Sequence, residues 1–145
     1  TYGCTGWRMG YATGPKPVVD AMQRIQGYSF VCAPSISQWG ALAAMDVDMV
    51  DTVSAYAARR DKVHGRLSEL TDVAYPQGAF YSFPKVPEHL GGTGTEFVNR
   101  CIERNLMSIP GGAFSDRDTH VRLSVAAPEA KLDAGLDVLC ELMSG

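Results

Sequence analysis

No apolar run in these 145 residues approaches 18 positions, which excludes a helix able to cross a bilayer. Neither sign of charge is in large excess. Thirteen Lys and Arg against 16 Asp and Glu leave a net charge of −3, with no electrostatic pull toward nucleic acid or acidic lipid. Cysteine and histidine are sparse: Cys4, Cys32, Cys101 and Cys140 form no C-x-x-C pair. Nor do His64, His89 and His120 join cysteines or carboxylates at metal-ligand spacing, so no metal site is expected. No serine sits in a G-x-S-x-G setting, and Gly91, Gly92 and Gly94 mark a flexible loop rather than a phosphate cradle. Four scattered cysteines in an acidic chain read as reduced thiols, which points to the cytoplasm.

What is present is a folded chain, 46% hydrophobic and 20% charged, outside the profile of disorder. Alternation of Trp7, Met9 and Tyr11 with Arg8, Gly10 and Ala12 predicts a short strand to Thr13. Gly14-Pro15 then opens a helix bearing Val18, Met22 and Ile25. An extended segment, residues 28–35, leads into an alanine-rich helix from about Ile36 to Met45. The steps between Met49, Val53, Tyr56, Val63, Leu67 and Leu70 predict one long helix over about 46–70, with Arg60 at the missing place in its apolar stripe. Short strands are expected at 73–75, 79–83, 107–110 and 120–125. Thr93 and Glu96 make a capping box ahead of a helix carrying Phe97, Cys101 and Ile102. Pro128 opens a last helix whose face is Leu132, Leu136, Leu139 and Met143. This is mixed α/β with α+β organisation, strands covered by helices.

Several of these stretches resemble one family. Thr1-Tyr2-Gly3-Cys4-Thr5-Gly6-Trp7-Arg8 is similar to the run that follows the cofactor lysine of class I/II, fold-type I aminotransferases, the aspartate aminotransferase-like enzymes that use pyridoxal 5'-phosphate. His120-Val121-Arg122-Leu123-Ser124 resembles the family's (I/V)-R-(L/I)-S strand. Gly78-Ala79-Phe80-Tyr81-x-Phe83-Pro84 and Pro110-Gly111-Gly112-Ala113-Phe114 resemble two further stretches, near the substrate entrance and the site mouth. Pro34-Ser35-Ile36-Ser37-Gln38 resembles the helix entrance that faces the partner subunit, and Arg59-Arg60-Asp61 a run in the long inter-domain helix. Serine before an apolar helix also reads as an N-cap, aromatics on a strand also read as core, and Arg60 also reads as a solvated side chain.

The resemblance spans nearly the whole chain. It implies the C-terminal remnant of the large cofactor-binding domain over 1–57 and the small α+β domain over 58–145. Arg8 would hold the cofactor's phosphate and Arg122 the substrate's α-carboxylate, each through the planar fork of a guanidinium. The catalytic lysine would immediately precede Thr1, so these 145 residues alone are expected to be inactive. Amino-acid and 2-keto-acid substrates, amino transfer between them, and a homodimer with shared active sites are implied too. A carbon–sulfur lyase or aminocyclopropane-carboxylate-type lyase on the same fold stays open, because both arginines would serve it. So does the aminotransferase-like domain of a transcription regulator.

Overall fold

The computed structural model describes residues 2–145; Thr1, the first residue of the opening motif, lies outside them. The chain forms two compact units, Thr1–Val50 and Asp51–Gly145. In the first, a 3-10 turn at Thr5–Trp7 precedes helices α1 (Lys16–Ser29) and α2 (Ser35–Ala44). Pro15 caps α1 and Pro17 lies in its first turn, where a missing N–H costs nothing. The apolar face expected of α1 exists, yet Val18, Met22 and Ile25 are all exposed. Ser37 is the one buried residue of this unit among the described residues.

Residues 7–13 form no strand, contrary to expectation. Arg8 takes a left-handed backbone, φ 51° and ψ 40°, and a single such residue breaks the extended alternation on which a strand depends. Ser35 is not an N-cap either: Pro34 occupies that place, and no side chain caps the helix.

The second unit holds the core. Its long helix α3 (Val50–Ser68) is followed by β1 (Tyr81–Ser82), α4 (Gly94–Glu103), β2 (Ile109–Pro110), β3 (Val121–Ser124) and α5 (Glu129–Ser144). The three short strands make an antiparallel sheet in the order β1-β3-β2. Val63 and Leu67 of α3, Phe97, Val98 and Cys101 of α4, and Val121 of β3 pack with Leu132, Leu136, Leu139 and Met143 of α5. All four residues predicted for the α5 face are buried. A second regularity of α5 is electrostatic. Glu129 and Asp133 pair with Lys62, Asp137 with Arg66, and Glu141 with Arg104, at 2.7–2.9 Å. These pairs are exposed, so each contributes about 0–1 kcal/mol; they fix which turn of α5 meets α3 and α4.

The strands are shorter than expected, and 73–75 is irregular. Pro76 removes a ladder donor there, and Tyr75 is used against α3, its hydroxyl donating to Asp61 Oδ1 at 2.7 Å. Ala79, at φ 60°, delays β1, and Pro84 ends its capacity to donate.

Candidate functional site

Arg122 stands on β3, the middle strand, rather than on a sheet edge. Antiparallel pairing sets Tyr81 opposite Ser124 and Ser82 opposite Leu123. The same register recurs at the Lys85–His120 bridge, which places Phe83 opposite Arg122. Because side chains alternate across a strand, His120, Arg122 and Ser124 share one face with Tyr81 and Phe83. Val121, Ser82 and Pro84 turn to the other face and are buried. The G-A-F-Y-x-F-P stretch is therefore split by the pleat. Its Tyr81 and Phe83, 38% and 40% exposed, look outward, while Phe80 packs against the core.

On that open face the Arg122 guanidinium carbon lies 4.3 Å from the centroid of the Tyr81 ring and 4.3 Å from that of Phe114. Phe83 meets Phe114 edge-on at 6.3 Å and stacks on the His120 imidazole at 5.2 Å, with 6° between the ring planes. Residues of β1, of the turn that ends at Phe114 and of β3 thus converge around one cation. Among the described residues, Arg122 forms no ion pair and no side-chain hydrogen bond. A half-buried arginine with its donors uncommitted, set among half-exposed rings, is chemically a receptor for a carboxylate or another planar anion.

Phe114 is held there by its turn. Gly111 N–H donates to His120 O at 2.7 Å, and Gly112 N–H donates to Asp118 Oδ1 at 3.1 Å. Asp118 also anchors α4: its Oδ2 accepts from Thr95 N–H at 3.0 Å and its carbonyl from Gly94 N–H at 2.7 Å. Hydrogen bonding from Thr95 first, and from the Gly112 amide, holds the Asp118 carboxyl below the ordinary carboxylate range. The capping box is complete as expected, Thr93 Oγ1 accepting from Glu96 N–H and Glu96 Oε2 from Thr93 N–H. Asp118 belongs to none of the motifs read from the sequence; its hydrogen bonds to the turn and to α4 bring it to the site.

In the first unit, Arg8 is exposed, and its one side-chain hydrogen bond among the described residues is a long one, 3.5 Å to Thr5 O. Its guanidinium is free to take an oxyanion. Beside it, Trp7 lies so close on α2 that a Cβ at Gly40 would stand 2.6 Å from the indole; that glycine seats the ring. Gln38 spends its amide on Ala33 O at 2.8 Å. Arg60 pairs with Asp61 at 2.8 Å and lies 4.6 Å from the Tyr75 ring centroid. No group of His, Cys, Asp and Glu able to hold a metal is found among the described residues. No helix among them is long and apolar enough to cross a membrane.

The model of the family "Aminotransferase class I and II" matches residues 1–139. A probable aspartate aminotransferase of Methanocaldococcus jannaschii is 34% identical over 98% of this chain and 40% of its own length. The crystal structure of aspartate aminotransferase from Thermotoga maritima superposes with a TM-score of 0.81 at 32% identity, covering 98% of this chain and 37% of that one. An aromatic aminotransferase from Pyrococcus horikoshii gives 0.79 at 27% identity, over 97% and 40%. The chain spans about two fifths of the length of these relatives.

Proposed function

The chain belongs to the class I and II aminotransferases, and from that premise we propose that its intact protein moves an amino group between an amino acid and a 2-keto acid with pyridoxal 5'-phosphate. Residues 1–57 are assigned to the large cofactor-binding domain and 58–145 to the small domain. The observation that carries the reading is Arg122, an uncommitted guanidinium on the open face of the middle strand, ringed by aromatics. All amino donors and keto acids share the α-carboxylate. An arginine fork that grips it orients the Cα–H bond identically whatever the side chain.

Pyridoxal phosphate, when bound, supplies the electron sink for the carbanion and carries the amino nitrogen between the two half-reactions. The residues present suit such a group: Arg8 has a guanidinium without an ion-pair partner among the described residues, matched to a phosphate dianion. The aromatic rings beside Arg122 thin the water around the bound carboxylate, which strengthens the ionic contact. Exposed Tyr28, Phe30, Ile36 and Trp39 in the first unit support a homodimer that covers them. Four free cysteines, Cys4, Cys32, Cys101 and Cys140, suit a cytoplasmic setting.

The test is Arg122→Lys in the intact enzyme. A point charge replaces the bidentate fork, so KM should rise by about tenfold or more for amino and keto acids alike. A change confined to one side-chain class would show that Arg122 reads something other than the shared carboxylate.

A further inference from the structure

We propose that Tyr81 and Phe114 are positioning residues that hold the Arg122 guanidinium by its faces and leave its N–H edges to the substrate. The proposal rests on the reading of Arg122 as the carboxylate site and extends it to how that arginine is kept in place. An arginine side chain has four rotatable bonds and needs a restraint if its fork is to be preformed. The usual restraint is an acid or a carbonyl. Neither holds Arg122 among the described residues. An acid would neutralise the cation and compete for the very donors a substrate needs. Aromatic faces attract the cation through their quadrupole and use none of the five N–H groups.

The two contacts are equal in length, 4.3 Å from the guanidinium carbon to each centroid, and their rings come from independent elements. Tyr81 is placed by β1, paired with Ser124 two residues beyond Arg122, the diagonal relation across which long side chains meet. Phe114 is placed by the turn at 111–113 and braced edge-on by Phe83, which in turn lies flat on His120. A ring that served only to fill space would not need this support, because Tyr81, Phe83 and Phe114 are all partly open to solvent. The alternative is that the rings form the wall of the pocket for the substrate's side chain. The two roles differ in which substrates feel a change.

The experiment uses the intact enzyme with Tyr81→Leu and Phe114→Leu, beside Tyr81→Phe and Phe114→Tyr. Steady-state kinetics is measured with amino donors of small and of large side chain. Inhibition by propionate reports the carboxylate alone. Each leucine variant should raise KM for every donor, and the inhibition constant of propionate, by about 5- to 20-fold, with kcat within about twofold. The aromatic replacements should return both to within about twofold of the parent. Propionate inhibition unchanged in the leucine variants, while Arg122→Lys weakens it, overturns the clamp and leaves the carboxylate reading standing. A KM change confined to large donors also overturns it, in favour of the pocket wall. Propionate inhibition unchanged in Arg122→Lys removes both. One measurement needs no variant: ring currents should move the Arg122 guanidinium NMR signals of the parent protein well away from free-arginine positions, and signals at those positions would refute the clamp even if the leucine variants fail to fold.

Discussion

Gly111 shows how little room the site's supporting residues have. A Cβ built there would stand 2.9 Å from His120 O and 3.1 Å from Arg117 O. Both are backbone atoms, the first held by the hydrogen bond from Gly111 N–H itself and the second accepting from Ser115 Oγ, so neither can swing aside as a flexible side chain would. Gly111→Ala must therefore push the turn off β3, at a cost of about 1–3 kcal/mol typical of overpacking, and Phe114 moves with it. The expected outcome is a melting temperature lower by several degrees together with weaker carboxylate inhibition of the intact enzyme. An unchanged melting temperature would mean that the turn is not seated as described. In the sequence this glycine read only as part of a stretch near the site mouth. The atoms that forbid a side chain belong to residues 117–120, and no spacing rule announces a contact between backbones brought together by pairing.

At the level of elements, periodicity told helices and strands apart unequally. The α5 face and the α4 capping box were legible because each is local: four apolar residues at helical spacing, and two side chains three apart. The strands were overdrawn for the complementary reason. A strand exists only where a partner supplies hydrogen bonds, and here left-handed residues at 8 and 79 and prolines at 76 and 84 trim the extended runs. The motif residues Arg8 and Arg122 stood out in the sequence, while the aromatic surroundings of Arg122 depended on register. Asp118 ties two elements together, and its carboxylate makes that tie pH-dependent. Its pKa is depressed in the folded state, so its stabilising contribution is present above the unfolded-state pKa of about 4 and is lost as pH falls through the folded value. Asp118→Asn keeps one acceptor oxygen but cannot titrate. The variant should melt below the parent at pH 7, and the gap should narrow as pH falls below about 4. A gap constant with pH would show that the carboxylate charge contributes nothing to the junction.

On the scale of the whole molecule, the two units differ in how they are stabilised. The second carries the buried hydrophobic cluster, the sheet, the capped α4 and the ion pairs of α5. The first has two helices with their apolar side chains exposed and a single buried residue, Ser37, among those described. Helices of 14 and 10 residues are near or below the length at which an isolated helix is even marginal in water, and tertiary burial is what normally sustains them. Local opening free energies follow buried apolar contact. In the 145-residue chain, amides of α3 beyond Val63, of α4, β3 and α5 should therefore exchange only through global unfolding. Those of α1 and α2 should exchange faster by orders of magnitude. Hydrogen exchange followed by mass spectrometry on peptides from 16–44 and from 94–143 reads this directly. In a longer enzyme chain, where further residues can cover Val18, Met22 and Ile25, protection of the first unit should rise while that of the second changes little. Equal, slow exchange across both units of the 145-residue chain would show that the first unit draws its stability from something other than burial of its exposed apolar faces.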